Sequence, residues 1–298
     1  MKVSIVIPCF NHARFLGEAI RSALAQDYPP LEVVVIDDGS TDGSAHVAAS
    51  FPDVTCYRQD NRGLSRARNV GLAATNGDVL IFLDADDRLM PGAVTTAVKV
   101  LTTHPGAQMV FGRCRIIDED GQPLPTNLPR VHSAFYEELL RHNFIWMPAM
   151  AALRRSAFDL SGPFKEHISP SADYELYLRL ARDFEIVAHD GLVAEYRQHG
   201  ANMTSNPALM LAMSLAVMRA QRPYVRRHRR LEAAYRAGVR HWRGFYGEQL
   251  VDRFRRGLHA PGSRWDAMRC AAQLIRLYPT GVIRHIGKKA ASSVSHLF

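Results

Sequence analysis

Two pairs of acidic residues could handle a charged, phosphate-bearing substrate. Asp84 and Asp86 flank Ala85 directly after an apolar segment, and Asp37 and Asp38 follow another. Two carboxylates one residue apart can bind one hard divalent cation, because Mg²⁺ and Mn²⁺ favour oxygen ligands and keep positions open for a diphosphate. An Asp-x-Asp alone is equally typical of an acidic loop ahead of a helix. The metal prediction therefore depends on the residues around it.

Three features favour a nucleotide as the substrate. A carboxylate at Asp37 or Asp38 could accept the imide N–H of uracil or thymine, and Phe10 could stack on that base or belong to the core. Arg66 and Arg68 begin a predicted helix and could neutralise a diphosphate or form surface ion pairs. Taken together, these residue types predict a site for a nucleoside diphosphate and its metal.

The acidic pairs follow predicted strands of an α/β fold. Apolar, β-branched runs predict buried strands at 3–7, 32–36, 54–58 and 79–83. Helical periodicity predicts helices at 11–26, 45–50, 64–75 and 91–101. Strands that alternate with helices form a mostly parallel sheet covered on both faces, and ligands bind beyond the carboxyl ends of its strands. Both acidic pairs lie at such ends.

The second half of the chain is less regular and ends in a helical tail. We predict a strand at 110–117, helices at 135–142 and 173–183, two short strands at 186–188 and 193–196, and an exit loop at 202–207. Apolar residues then recur at three- and four-residue steps from Leu231 to Leu258, which predicts one face of a long helix. Three glycines inside that segment, Gly238, Gly244 and Gly247, weaken the helix prediction.

The distribution of charged residues also separates the helical tail from the rest of the chain. After residue 218 there are 18 Lys and Arg against 4 Asp and Glu, whereas the first 218 residues hold 19 basic and 25 acidic side chains. We therefore predict a catalytic domain at 1–205, with a nucleotide-sugar half at 1–103 and an acceptor half at 104–205, and a basic helical region at 206–298.

Composition favours a globular protein without a structural metal. The chain is 47% hydrophobic and 22% charged, and no apolar run approaches the roughly 18–20 residues that span a bilayer. The N-terminus has no signal-peptide cleavage site, so we expect a cytoplasmic protein, soluble or peripheral at the inner face of the membrane. Its four cysteines are far apart, which argues against a zinc site or a disulfide framework, and we expect all four to be buried.

Four segments resemble glycosyltransferase family 2, whose members have the GT-A fold. They are Val-Ser-Ile-Val-Ile-Pro-Cys-Phe-Asn at 3–11, Asp-Asp-Gly-Ser-Thr-Asp at 37–42, Gly-Leu-Ser-Arg-Ala-Arg-Asn-Val-Gly at 63–71 and Gly-Asp-Val-Leu-Ile-Phe-Leu-Asp-Ala-Asp-Asp at 77–87. The resemblance is dense over the first 100 residues, extends to about residue 205 and does not include the tail. It implies a Rossmann-like, mostly parallel sheet flanked by helices, and an inverting transferase that uses a nucleotide sugar.

The resemblance also assigns roles on the donor side. Asp38, with Asp37 beside it, would recognise the nucleobase, and Pro8, Phe10 and Ala85 would line the nucleotide-sugar site. Arg66 and Arg68 would lie near the diphosphate, and Asp84 would contact the ribose or the sugar. Asp86 would hold the divalent metal, Mn²⁺ or Mg²⁺.

On the acceptor side, the resemblance implies a catalytic base and a second metal contact. The base is an Asp at a helix N-terminus, which corresponds to Asp173 in Ser171-Ala172-Asp173-Tyr174-Glu175, although Ala172 stands where the family has an acidic residue. His199, in Tyr196-Arg197-Gln198-His199, resembles the closing loop whose His approaches the metal. The implied reaction moves a sugar, with a UDP-sugar favoured, to a hydroxyl of a saccharide or lipid-linked acceptor in polysaccharide or cell-envelope synthesis.

Other functions stay open at this point. A sugar-phosphate nucleotidyltransferase would need a glycine-rich loop after the first strand, and no glycine precedes Gly17. Nucleic-acid binding through the basic tail would leave the acidic, motif-bearing half of the chain without a role. A catalytically inactive binding module would not need all the carboxylates of the four motifs, which this chain retains. The tail itself has two candidate roles, packing on the catalytic domain or binding an anionic membrane surface.

Overall fold

The computed structural model describes residues 1–200, 202–259 and 264–285. The chain divides into two compact units. The first contains residues 1–139 and 143–200, and the second joins Leu140–His142 to the part of the chain after residue 200. Each unit is described by itself.

Eight strands form one mixed sheet in the first unit. They are β1 (Val3–Cys9), β2 (Leu31–Asp37), β3 (Val54–Arg58), β4 (Val79–Phe82), β5 (Arg88–Leu89), β6 (Met109–Ile117), β7 (Ala151–Arg154) and β8 (Ile186–Arg197). Their order is β3-β2-β1-β4-β7-β6-β8-β5. Strands β3, β2, β1 and β4 pair in parallel, as do β6 and β8, whereas β7 and β5 run antiparallel to their neighbours. Strands β1 and β4 are buried along their whole length.

Seven α-helices belong to this part of the chain. They are α1 (Ala13–Leu24), α2 (Ser44–Ala49), α3 (Leu64–Ala74), α4 (Ala93–Thr103), α5 (Phe135–Arg141), α6 (Arg155–Ser161) and α7 (Ala172–Asp183). Short 3-10 helices lie at Pro148–Met150, Glu166–Ile168 and Met203–Ser205. Helix α3 lies close to the sheet because Gly71 has no side chain, and a Cβ at that position would overlap Val6.

The predicted α/β class with a mostly parallel sheet is confirmed, and the differences lie in the second half. The two short strands predicted at 186–188 and 193–196 are one strand, β8, whose pairing with β6 shifts register on either side of Arg113. Strands β5 and β7 and helix α6 had not been predicted. Of the four cysteines, Cys56 is exposed, so the expectation that all four are buried is wrong at this position.

The second unit is helical. Its helices are α8 (Pro207–Val225), α9 (Arg229–His259) and α10 (Arg264–Leu277), and α9 packs against both of the others. Asn206 caps α8 by accepting a hydrogen bond from the main-chain N–H of Leu209 at 3.3 Å. The long predicted tail helix is α9, but Leu258 at its end is 60% exposed instead of lying on a buried face. Within the described residues, we find no helix with the length and apolar character needed to cross a membrane.

None of the glycines predicted to weaken α9 interrupts the helix, and two of them, Gly238 and Gly247, permit close packing. A Cβ at Gly238 would overlap the carbonyl oxygen of Leu140, and one at Gly247 would overlap the ring of Tyr278. The cost of a glycine in a helix is about 0.5–1 kcal/mol relative to alanine, which such contacts can offset.

Candidate active site

The two aspartates at the end of β2 are buried. Asp37 is the last residue of the strand and is 1% exposed. Asp38 accepts hydrogen bonds from the main-chain N–H groups of Arg62 and Gly63, at 2.9 and 2.8 Å, and from Gln59 Nε2 at 2.6 Å. Its carboxylate therefore fixes the loop that leads into α3. Recognition of a nucleobase by these aspartates stays a prediction.

The neighbouring loop supplies a tight turn and an exposed aromatic ring. Gly39 has a φ of 78°, and a Cβ there would lie 2.8 Å from the main-chain nitrogen of Asn61, so only glycine fits this turn. Pro8 is buried in β1, whereas Phe10, just after the strand, is 43% exposed. Phe10 is thus not a core residue, and its exposed face is available for stacking on a base.

The aspartates after β4 have different partners. Asp84 forms an ion pair with Arg68, whose Nη2 lies 2.8 Å from its Oδ1. Ala85 is 2% exposed, and its contact with a nucleotide sugar stays a prediction. Asp87 is buried and accepts a hydrogen bond from the main-chain N–H of Arg197 at 2.8 Å. Burial, with repulsion from the two neighbouring aspartates, raises the pKa of Asp87 well above its ordinary value.

The two arginines of α3 differ in environment. Arg68 is 1% exposed, and its guanidinium lies 5.6 Å from the ring centroid of Phe164. Burial alone would lower the pKa of Arg68, but the charges of Asp84 and Asp173 outweigh it and raise the pKa. Arg66 is exposed and pairs with Glu166 at 3.2 Å. Arg68 thus holds acidic residues of the site together, and contact of either arginine with a diphosphate stays a prediction.

Asp173 lies in the first turn of α7, near Arg68 and Asp84. Burial raises the pKa of Asp173, the charge of Asp84 adds to this, and the charge of Arg68 opposes it. A carboxylate removed from water in this way is a stronger base than one on the surface. Ala172, where the family has an acidic residue, is fully buried, so an extra charge there would lack solvent.

Asp86 faces two imidazoles. Its Oδ2 lies 3.0 Å from Nε2 of His199, and ligand atoms of His12, Asp86 and His199 all lie within 4.8 Å of one another. Burial alone would raise the pKa of Asp86, but the hydrogen bond to His199 and the charge of His12 outweigh it and lower the pKa. Two nitrogen donors and an ionised carboxylate at this spacing fit a divalent cation.

Arg197 connects the end of β8 to the acidic segment. Its side chain is 1% exposed and donates from Nε to the carbonyl oxygen of Asp86 at 2.8 Å and from Nη1 to that of Glu119 at 2.9 Å. Its Nη2 donates to Glu18 Oε2 at 2.6 Å. The guanidinium also lies 4.8 Å from the ring centroid of Phe15. Arg197 therefore fixes the main chain of Asp86.

Two residues of this site were not predicted, His12 beside Asp86 and His199, and Arg197 as the anchor of Asp86. His12 lies in the short loop between β1 and α1, and that position is the signal that would have placed it at the carboxyl edge of the sheet. The importance of Arg197 depends on contacts with residues 78 or more positions away, for which the sequence offers no signal.

Comparison with known proteins identifies the family. Residues 4–161, more than half of the chain, match the sequence model described as Glycosyl transferase family 2. The chain belongs to glycosyl transferase family 2. An uncharacterized glycosyltransferase of Nostoc sp. (strain PCC 7120) is 43% identical over 108 residues, which cover 35% of this chain and 34% of that protein. This chain therefore spans about a third of that relative's length.

Two solved structures share the fold of this glycosyltransferase. S. aureus TarS 1-349 in complex with UDP-GlcNAc matches with a TM-score of 0.62 at 19% identity, over 74% of this chain and 67% of that one. Mannosyltransferase PcManGT from Pyrobaculum calidifontis, in complex with GDP-Man and Mn²⁺, matches with a TM-score of 0.60 at 18% identity, over 99% of this chain and 80% of that one. At these identities the likeness shows the GT-A fold alone.

The predicted family, fold and enzyme class are thus confirmed. The family match favours a glycosyltransferase over a sugar-phosphate nucleotidyltransferase and over a nucleic-acid-binding protein. The individual roles of the site residues stay predictions.

Proposed function

We propose that this family 2 glycosyltransferase moves a sugar from a nucleoside-diphosphate sugar to a hydroxyl group of a saccharide or lipid-linked acceptor, with inversion at the anomeric carbon. One observation carries the proposal: charged groups from four distant parts of the chain meet in one place. Asp84 pairs with Arg68, both act electrostatically on Asp173, and Asp86 lies against His199. This arrangement offers a metal site and a separate carboxylate base.

On the donor side, the protein orients the diphosphate and the sugar. Asp84, held by Arg68, is half-buried and suited to accept hydrogen bonds from sugar or ribose hydroxyls. A divalent cation held by Asp86 and His199, Mn²⁺ or Mg²⁺, would act as a Lewis acid that stabilises the charge developing on the leaving diphosphate. Phe10 is exposed and suited to stack on a nucleobase, and a carboxylate at Asp37 or Asp38 would complement the imide N–H of uracil or thymine. Among such donors we favour a UDP-sugar.

On the acceptor side, Asp173 removes the proton from the attacking hydroxyl. The acceptor oxygen then forms the new bond to the anomeric carbon as the bond to the diphosphate breaks, and the proton remains on Asp173. A base and a leaving group on opposite faces of the sugar give inversion in one displacement, as in inverting glycosidases with water as the nucleophile.

The base is tested by the variant Asp173→Asn. We expect it to retain donor affinity in calorimetry while the rate of transfer falls roughly 10²–10⁴-fold, the usual range for a positioned base. The matched control Asp183→Asn, at the other end of α7, should leave the rate unchanged. Proton NMR of the first product should show the anomeric configuration opposite to that of the donor. Transfer within about threefold of wild type, or retention of configuration, would contradict the mechanism.

We further propose that the tail binds an anionic membrane surface through one face of α10. Trp265, Met268 and Ile275 lie at helical spacing and are 72%, 61% and 66% exposed. Arg269 and Arg276 lie on the same helix, and the chain beyond residue 218 is strongly basic. An apolar face bordered by arginines is typical of a helix that lies in the headgroup region, and such a position would favour a lipid-linked acceptor.

Vesicle binding tests this proposal. We expect Trp265→Glu with Met268→Glu to abolish sedimentation with vesicles that contain phosphatidylserine, and salt to weaken binding by the wild-type protein. The control Leu160→Glu changes a residue of the first unit with similar exposure, 61%, and should bind normally. Equal binding by the folded double variant would exclude α10 as the contact. If size-exclusion chromatography showed that wild type self-associates and the double variant does not, the exposed face of α10 would be a contact between copies of this chain instead.

A further inference from the structure

Residues after three different strands meet around one point at the carboxyl edge of the sheet. His12 follows β1, Asp86 follows β4 and His199 follows β8. Each offers one ligand atom, and the three atoms lie within 4.8 Å of one another. Bonds of about 2.0–2.2 Å from one ion place its ligands less than about 4.5 Å apart, so only a slight approach of these three side chains would let one cation contact all of them.

The two imidazoles are held in place by the protein. The main-chain N–H of His12 donates to Ser44 Oγ at 3.1 Å, and its carbonyl oxygen accepts from the first turn of α1, at 2.9 Å from the Leu16 nitrogen. The ring of His199 packs on Phe15 with centroids 4.9 Å apart and meets the ring of His12 edge to face at 5.9 Å. Fixed rings reduce the entropy that a bound ion must offset.

The other acidic residues of the segment have different partners. Asp84 pairs with Arg68 at 2.8 Å, and Asp87 accepts the main-chain N–H of Arg197 at 2.8 Å. Asp86 is the carboxylate of this segment that lies against an imidazole, with His199 Nε2 at 3.0 Å. The donor set around the point is therefore two nitrogens and one carboxylate oxygen.

We propose that His12 is a third protein ligand of the divalent cation, which makes the site a two-histidine, one-carboxylate site that selects Mn²⁺ or Co²⁺ over Mg²⁺. The inference rests on the proposed function only in assuming a cation at Asp86. Mg²⁺ prefers oxygen ligands and gives up its waters reluctantly, whereas imidazole suits first-row transition metals. His12, Asp86 and His199 would hold the cation, and its remaining coordination positions would be open to diphosphate oxygens or water.

Metal binding by the full-length protein tests the role of His12 without an activity assay. Mn²⁺ is titrated into wild type and His12→Ala, and the free ion is measured by electron paramagnetic resonance. We expect the variant to bind Mn²⁺ about 10- to 100-fold more weakly. This is the loss of affinity seen when a residue that only orients a metal ligand is removed, and loss of a ligand itself should cost no less. Mg²⁺ competition should show that the preference for Mn²⁺ over Mg²⁺ falls in the same variant. His46→Ala, which changes an exposed histidine of α2, is the control and should match wild type.

Pulsed electron paramagnetic resonance of bound Mn²⁺ gives a second readout that a merely structural role would not change. Nitrogen couplings from two imidazoles are expected in wild type and from one in His12→Ala. His12→Gln, which keeps a polar side chain of similar length, repeats the test if the alanine variant does not fold. Equal Mn²⁺ affinity in wild type and the His12 variants, or one nitrogen coupling in wild type, would overturn the role of His12. If wild type itself bound no Mn²⁺, the metal part of the proposed function would fail as well.

Discussion

Replacement of Arg197 by lysine tests how the metal-binding segment is held. Three acceptors surround the buried guanidinium: the carbonyl oxygens of Asp86 and Glu119, at 2.8 and 2.9 Å, and Glu18 Oε2 at 2.6 Å. They are reached from three different nitrogens of a planar group, and lysine has one nitrogen. We expect the lysine to keep the ionic contact with Glu18 and to lose both carbonyl contacts.

The expected loss of stability follows from those two contacts. A hydrogen bond that involves a charged group contributes about 1.5–3 kcal/mol. Because Glu119 is exposed, water can replace the contact with its carbonyl oxygen, so the free energy of unfolding should fall by about 1.5–3 kcal/mol, mainly through the lost contact with Asp86. Because Asp86 loses an anchor beside the metal site, Mn²⁺ affinity should also fall by about 10- to 100-fold. Urea unfolding and Mn²⁺ titration on the same preparation measure the two effects.

A matched control is present on the same aromatic ring. Arg14 also lies over Phe15, at 5.0 Å from its centroid, and pairs with Glu119 at 3.1 Å, but its side chain is 58% exposed. Exposed ion pairs contribute about 0–1 kcal/mol, so Arg14→Lys should be nearly neutral. If Arg197→Lys unfolds within about 0.5 kcal/mol of wild type and binds Mn²⁺ normally, the inferred anchoring of Asp86 is wrong.

Two further predictions concern stability. The pKa of Asp173 is higher in the folded protein than in the unfolded chain, where it is about 3.9. Ionisation of Asp173 therefore lowers the free energy of unfolding, fully at a pH above the folded pKa and not at all below about pH 3.9. Asp173→Asn should therefore raise the free energy of unfolding at pH 7. In urea titrations, this gain should shrink as the pH falls toward about 3.9. An equal gain at every pH would show that the charge of Asp173 does not destabilise the folded protein. Gly71→Ala should lower the free energy of unfolding by about 1–3 kcal/mol, because the added Cβ would overlap Val6. Gly244→Ala in α9 should raise it by about 0.5–1 kcal/mol, because no atom of the described residues lies within 4 Å of the added Cβ. Thermal unfolding measures both effects. Equal effects at the two glycines would refute the packing of α3 on β1.

The parallel half of the sheet could be predicted because its local sequence agrees with its environment. Strand β1 is buried throughout and is a continuous apolar run apart from Ser4 and Pro8, which is the pattern of a strand covered on both faces. Strand β7 shows the opposite case. Its sequence Ala-Ala-Leu-Arg has weak strand preference, and it becomes a strand because β4 and β6 pair with it on either side.

The candidate site was predictable where one segment carries its signal and not where several must meet. Asp84 and Asp86 were identified from their spacing and the apolar run before them. The meeting of Asp86 and His199, 113 positions apart, was predicted only through the family resemblance, and the approach of His12 to both depends on the order of β1, β4 and β8 in the folded sheet. Residue types and spacing alone do not fix such an arrangement.

The measurement that tests the central claim most directly is metal-dependent binding of a nucleotide sugar. UDP-, dTDP- and GDP-sugars are added to wild type and Asp86→Asn, with Mn²⁺ or with a chelator, and thermal unfolding is recorded. At equal concentrations, a UDP-sugar should stabilise wild type most in the presence of Mn²⁺, by about 2.7 kcal/mol once it reaches 100 times its dissociation constant. This gain should be lost with the chelator or in Asp86→Asn. If no nucleotide sugar stabilises the protein, or if one does so equally with the chelator and in the variant, the proposed donor and metal site are wrong.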